Sequence, residues 1–383
     1  MAREVLLLEQ GNSKFASVVR ANGVLFLSSV DGVYKAGTSE MDEESFGDGP
    51  AQAANAYAEI ARRLEVCGLS GAAAVRIEHA TASQDWRLQR MALWPQYFGL
   101  PTTAVSQGYQ GKMERQNMIT VASIACMPDL FRELVSPGPN SGRASRVTRC
   151  GDFVYIIGVR GETSLSDGSK CSDGLIENTR EHIECSMANI DFHLHSSGRT
   201  SKDLVRIDAF MRSPYDAPLL RVILENYMKR TGSSFSVNAV ACPLGGGTDI
   251  EISAIASVSS HVKPKDKFNE ESTTNASVVA GGFGFISTAL VDSGVRRKVD
   301  VGVGLESHFN AGIDVLEQRV KSLGSNSSQI VRLDIFLASP YARPYIADLL
   351  EKEFNDIVPP IVWHGVDLPD GLQVDVSAVV IME

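Results

Sequence analysis

What the chain lacks narrows its chemistry first. Its 383 residues hold no apolar run near the roughly 20 residues that a membrane helix needs, so no membrane partner is expected. The opening stretch from Met1 to Glu9 carries acids at Glu4 and Glu9 and no long apolar core, which excludes a secretory signal and points to the cytoplasm. No basic block interrupts a net charge of −10, and phosphate binding needs clustered Lys and Arg, so no nucleic acid is expected as partner. The six cysteines (Cys67, Cys126, Cys150, Cys171, Cys185, Cys242) form no CxxC pair, and no HExxH joins any of the seven histidines. His193 and His195 would point apart on a helix. These absences predict buried reduced thiols, no metal and no cofactor.

What is there is a repeat. Val75-Arg76-Ile77-Glu78 followed by Ser83 returns as Val205-Arg206-Ile207-Asp208 with Ser213, and again as Val331-Arg332-Leu333-Asp334 with Ser339. The spacings, 130 and 126 residues, exceed those of solenoid repeats, so each unit is a small domain. Each opens with a hairpin pattern: Ser17–Arg20 and Val24–Ser29 about Asn22-Gly23, then Arg146–Arg149 and Phe153–Gly158, then Ser277–Ala280 and Phe283–Thr288. A helix follows in each, over about Ala51–Cys67, Glu177–Ser197 and Leu305–Leu323, stopping at Gly68, Gly198 and Gly324. Next come the Val-Arg strand, a second helix (Trp86–Phe98, Ala217–Lys229, Arg343–Phe354) and two closing strands. The last strands are Ile119–Ala125, Ile250–Ala256 and Val374–Val380. Turn-rich Pro137–Gly142 and polar Lys263–Thr274 read as linkers. The order β-β-α-β-α-β-β predicts an α+β layer, one sheet with two helices on one face.

In combination these pieces resemble the Rid family (reactive intermediate deaminase, also called YjgF-like). The matching parts are the hairpin ending in Ser28-Ser29, the Ala-rich helix closing on a glycine, the Val-Arg-Ile-acid strand, the Tyr97-Phe98 helix end and the final strand Ile250-Glu251-Ile252-Ser253-Ala254-Ile255-Ala256. The resemblance covers nearly the whole chain, three times. It implies three tandem Rid-like domains at 1–130, 143–258 and 274–383. Family members are homotrimers with ligand clefts between subunits, so it implies a covalent pseudo-trimer around a central barrel. It also implies hydrolysis of enamines and imines to carbonyl compounds and ammonia.

The family's reactive set does not carry over. Its arginine, a fork that matches a carboxylate, falls on Thr103, Ser236 and Pro360. The cysteine two residues on falls on Val105, Asn238 and Val362, and the water-positioning glutamate on Ala122, Ser253 and Ser377. The aromatic of the opening strand survives as Phe15, against Ala144 and Thr274.

What replaces that set is polar and uncharged. Ser28, Ser29, Thr103, Ser236, Asn238, Thr274, Ser287 and Thr288, with Phe15, are the candidate ligand-binding residues, suited to a neutral ligand with carbonyl and N–H groups. Ser253, Ser377 and His364 are the candidate catalytic residues. The plainer alternative is that the hydroxyls are ordinary sheet polarity and His364 is structural. Strand alternation puts Arg76 with Glu78, Arg206 with Asp208 and Arg332 with Asp334 on one face, and Val75 and Ile77 on the other, toward the helices. Those arginines either lock the units together or anchor an anionic ligand. Gly245-Gly246-Gly247-Thr248 has no following Lys and reads as a hairpin turn. Gln52, His182 and His308 share one helix position, which suggests packing or capping.

The expected function is that of a metal-independent small-molecule enzyme with inter-domain clefts, hydrolysing or deaminating an imine-like or amide C–N bond of a nitrogenous metabolite. Two readings stand beside it. One is a ring-opening amidohydrolase by architectural analogy, although its paired serine-glycine and lysine motifs are absent. The other is a non-catalytic pseudo-trimer that binds a metabolite or a partner. Association beyond the pseudo-trimer stays open.

Overall fold

The structure, a computed structural model, describes residues 3–99, 104–130, 132–137, 145–171, 179–244, 248–259, 277–291 and 299–382. Unit one opens as a meander of β1 (Glu4–Glu9), β2 (Asn12–Ala21) and β3 (Val24–Asp31), with Asn22 and Gly23 at φ of 50° and 75° making the turn. Helix α1 (Gly49–Val66) follows, its first turn capped by Asp48, which accepts from the Ala51 N–H. Then come β4 (Ala74–Thr81), α2 (Arg87–Phe98), β5 (Val105–Gln110) and β6 (Ile119–Cys126). Unit two repeats this as β7 (Arg132–Pro137), β8 (Ser145–Cys150), β9 (Phe153–Arg160), α3 (Thr179–Ser196), β10 (Leu204–Met211), α4 (Ala217–Thr231), β11 (Ser236–Ala241) and β12 (Ile250–Ser257). Unit three has β13 (Ser277–Ala280), β14 (Phe283–Ile286), α5 (Leu305–Ser322), β15 (Ile330–Leu337), α6 (Arg343–Glu353), β16 (Ile361–Gly365) and β17 (Val374–Ile381). The glycines expected to end the first helices do so in the left-handed region, at φ of 77°, 68° and 78° for Gly68, Gly198 and Gly324. Strands β1 and β7 carry no clean alternation and were not expected; β7 ends on Pro137, the first residue of the predicted linker, whose remainder, like the second linker and Gly245–Gly247, lies outside the described residues.

The strand order is the same in each unit. It runs β3-β6-β4-β5, then β9-β12-β10-β11, then β14-β17-β15-β16, with the Val-Arg strand antiparallel to the last strand and parallel to the penultimate one. Units one and two form a 12-stranded sheet, joined through the pair Val105↔Ser145, and unit three contributes a 5-stranded sheet. At the junction of units three and one the main chains of Phe15 and Val358 lie side by side. Ala241 and Asp367 exchange two backbone hydrogen bonds of 3.1 and 2.7 Å between units two and three.

In each unit one face of the sheet packs two helices, and the other faces meet in a shared core. Val75, Val205 and Val331 all lie in that shared core, together with Phe26, Phe153 and Phe283. They were expected against the helices. Each sits at a register shift between its strand and the last strand of the unit, and a bulge there turns the valine inward beside its arginine, while Ile77, Ile207 and Leu333 keep the helix side.

The matched trio Gln52, His182 and His308 ties each first helix to the entry of its last strand. Gln52 Oε1 accepts from Met118 N (2.7 Å), His182 Nδ1 meets Asp249 Oδ2 (3.0 Å) and His308 Nδ1 accepts from Gln373 N (3.1 Å). Cys126 is bonded to Cys150 and Cys171 to Cys185, where sequence spacing suggested reduced thiols; the first pair is set by the β6 and β8 ends meeting between units, which spacing does not encode. Among the described residues, no helix is long and apolar enough to cross a membrane.

Candidate functional site

The three Arg-x-acid pairs close into a ring. Arg76 Nη2 donates to Asp208 Oδ2 (2.8 Å), Arg206 Nη2 to Asp334 Oδ2 (3.0 Å) and Arg332 Nη2 to Glu78 Oε2 (2.6 Å), so each unit's guanidinium holds the next unit's acid. Within their own strands Arg206 Nε and Arg332 Nε bond Asp208 and Asp334 (2.8 and 3.0 Å), and Arg76 Nε lies 2.5 Å from Glu78 Oε1. Burial alone would push Asp208 up, but the Arg206 and Arg76 guanidiniums outweigh it and hold the carboxyl at about 2. Burial opposes ionisation of Asp334 too, and Arg332 with Arg206 overrides it, leaving that carboxyl well below its ordinary value. All three arginines are buried and matched one to one by acids, the arrangement expected of a lock between units for Arg76, Arg206 and Arg332.

The other expected site residues scatter. Ser253 and Ser377 are fully buried, and neither lines a described cleft. Ser253 Oγ lies 3.5 Å from Gly158 N, and Ser377 Oγ donates to Asp334 at 3.4 Å. His364 is stacked on Phe336 with centroids 4.6 Å apart. Its Nδ1 takes a hydrogen bond from Tyr109 Oη (2.7 Å), a phenol that burial keeps protonated, and its Nε2 faces Asp334 (3.3 Å). Ser28 receives Arg63 Nη1 and Ser29 receives Trp363 N. Ser236 donates to Val205 O, and Asn238 bridges Asp208 and the Thr288 N–H. Phe15 is packed in the unit-three core. Of the candidate residues, Ser287, Thr288 and His364 line one of the clefts at the unit junctions, Asn238 and His364 line a small cavity beside the ring arginines, and Thr103 and Thr274 lie outside the described residues. The parallel register also corrects one alignment: Val105 stands opposite Arg76 as Ser236 stands opposite Arg206, so the counterpart of Asn238 is Gln107, two residues beyond the expected position.

A cleft opens at each junction, and the three differ in chemistry. Between units two and three, a cavity of about 570 Å³ is walled by Leu220, Val222, Val237, Val291 and Leu368. Between units three and one, a cavity of about 390 Å³ contains Arg343, neutralised by Asp31 at 2.5 Å and stacked 5.1 Å over Trp363. Between units one and two, a cavity of about 340 Å³ is lined by Arg87, Arg90, Arg146 and Arg160 with Glu162 and Glu251.

Unit one backs this last cleft with a polar core. Trp94 Nε1 donates to Tyr57 Oη (3.1 Å), Tyr57 Oη bonds His79 Nε2 (2.9 Å), and His79 Nδ1 meets Gln107 O (2.9 Å). Burial first, and Arg90 second, keep His79 well below its ordinary value, so it is neutral with the proton on Nδ1. Tyr57, Trp94, His79 and Arg90 stand where unit two buries Met187, Leu224, Ala209 and Leu220, and where unit three buries Ile313, Leu350, Ile335 and Ile346. None of the four was singled out from sequence; comparing the three repeats column by column would have found them.

Glu251, one of the two carboxylates of the cleft, lies on β12. Its Oε2 accepts from Arg160 Nε at 2.9 Å. Its counterparts are otherwise occupied: Thr120 donates to Asp31, and Asp375 accepts the N–H groups of Ala289, Leu290 and Val291.

No family model matches the chain, and no curated protein matches it in sequence. Solved structures do. A chorismatase is similar over 81% of this chain and 93% of its own, at 10% identity and a TM-score of 0.53, a likeness of fold. E. coli TdcF with bound serine is similar over 33% of this chain and 96% of its own, at 17% identity and a TM-score of 0.28. The Rid-family protein YyfA from Yersinia pestis covers 33% of this chain with 100% of its own, at 21% identity and a TM-score of 0.29.

Proposed function

We propose that the three units, bounded near 1–130, 143–258 and 274–383 with β7 joined to the second through its pairing with β8, form a pseudo-trimer around a central barrel, and that the chain is a small-molecule enzyme working in the cleft between units one and two. The reaction is hydrolysis at an imine-like C–N bond. The cyclic order of the Arg–acid ring supports the pseudo-trimer. The fold likeness to a chorismatase, by name an enzyme of a small molecule, is in keeping with catalysis.

One observation carries the choice of cleft. Unit one spends a buried Trp94–Tyr57–His79 string and a buried arginine at positions where its sister units place hydrocarbon. A polar core costs stability relative to an apolar one, so its place behind a single cleft marks that cleft for chemistry.

The step assigned to the cleft is general-base hydration. Glu251 orients a water and takes its proton as the oxygen bonds to the imine carbon. That proton passes to the nitrogen to give a carbinolamine; Glu251 then relays the hydroxyl proton to the same nitrogen, the C–N bond breaks as the C=O bond forms, and a carbonyl compound and ammonia leave.

The test generates imines in place with an amino-acid oxidase and traps them with semicarbazide. The protein is expected to suppress trapping. A folded protein that leaves trapping unchanged across acidic, neutral and aromatic imines would remove the hydrolytic reading.

A further inference from the structure

Arg90 is 3% exposed, yet its Nε and Nη1 have no hydrogen-bond partner, and among the described residues no carboxylate forms an ion pair with it. It lies in the wall of the cleft between units one and two. Burying a cation without a counter-charge is costly, and proteins rarely do so without a ligand to meet it.

The fold does not require a charge there. The same helix position holds Leu220 in unit two and Ile346 in unit three, both buried. The residue under it has changed as well. Gly108 stands where the other units carry Ala239 and Trp363, and a Cβ on Gly108 would come within 3.1 Å of Arg90 Nη2. Helix and strand have together made room for a guanidinium.

The lining holds four guanidiniums (Arg87, Arg90, Arg146, Arg160) and two carboxylates (Glu162, Glu251). Arg160 and Glu251 neutralise each other at 2.9 Å. Arg146 Nη1 donates to Gly158 O (3.0 Å), which leaves its charge uncompensated there. Glu162 has its own unpartnered Oε1, and an excess of two positive charges remains after it is counted.

We propose that this cleft binds a small divalent anion, a dicarboxylate or a phosphate monoester, with Arg90 as the buried anchor and Arg87 and Arg146 supplying the second charge. A cavity of about 340 Å³ admits a metabolite of that size. The proposal names the substrate class of the cleft chosen above; it rests on that choice for turnover and not for binding.

The experiment is calorimetric titration and thermal melting of the full chain with inorganic phosphate, succinate, acetate and chloride at constant ionic strength. Phosphate or succinate is expected to bind at least about tenfold more tightly than acetate and to raise the melting temperature. Binding of phosphate alone would assign a phosphate ester, and of succinate alone a dicarboxylate. Arg90→Leu, which installs the unit-two residue, is expected to melt higher than wild type without anion and to lose at least about tenfold in affinity. Should that variant not fold, Arg87→Ala on the exposed side of the cleft is expected to weaken the same binding. Divalent anions acting no differently from chloride, or binding unchanged in these variants, would overturn the proposal. Dianion binding without imine hydrolysis would sink the hydrolytic reading alone, and hydrolysis without dianion binding would sink this one alone.

Discussion

Asp31 and Arg160 occupy the same place, the last residue of β3 and of β9, and carry opposite charge. Asp31 faces Arg343 of the neighbouring α6 and neutralises it. Arg160 faces the α2 side, where Arg87 corresponds to Arg343, and its charge is met from behind by Glu251. One reversal of sign thus separates a self-neutralised cleft from a cationic one.

Asp31 also accepts from Thr120 Oγ1 (2.7 Å) and Asn117 Nδ2 (3.1 Å). Asp31→Ala would strand all three donors, and a loss of about 2–4 kcal/mol in urea melts is expected. A loss below about 0.5 kcal/mol would show that water replaces the carboxylate there.

The ring should behave as a unit. Arg206→Met leaves Asp208 and Asp334 short of a counter-charge, and a loss of about 3–5 kcal/mol is expected in urea melts. Asp208 is held at about 2, below its ordinary value, so its contribution is complete above the ordinary aspartate range and is lost as pH falls through 2. Stability measured down that range should fall for wild type and fall less steeply for Arg206→Met.

Tyr57 satisfies two neighbours at once. Tyr57→Phe leaves His79 Nε2 and Trp94 Nε1 without partners, at a cost of about 1–3 kcal/mol. The His79 ring should stay neutral by nitrogen NMR across the range where histidine ordinarily titrates. Because its folded value is depressed, its contribution is present above the ordinary histidine value and is lost as pH falls.

Glu251→Gln keeps the shape of the cleft and removes the base. The expected outcome is a fall in kcat of about 100-fold or more with KM little changed. Equal falls in the Ser253→Ala variant would instead return the chemistry to the last-strand serine.

The sequence carried the repeat because the features that mark it are local: a Val-Arg-x-acid strand, a helix ending on Gly68, Gly198 or Gly324, and a serine before the second helix. The fold elements follow from those. The site did not, for two physical reasons. The bulges at Val75, Val205 and Val331 reset strand alternation without a sequence sign. Resemblance to the Rid family placed the expected site on serines that turn out to be enclosed, whereas Arg90 and His79 do not stand out until their buried counterparts Leu220 and Ala209 are set beside them.

Arg90 also shows what three separately encoded clefts permit. In an assembly of identical chains, every substitution is installed at all the junctions together, and a buried unpaired cation would be charged against folding three times. Here Leu220 and Ile346 keep the hydrocarbon, and the penalty falls once. Three units encoded separately in one chain let a single pocket carry a destabilising charge while its two counterparts remain the ballast of the fold.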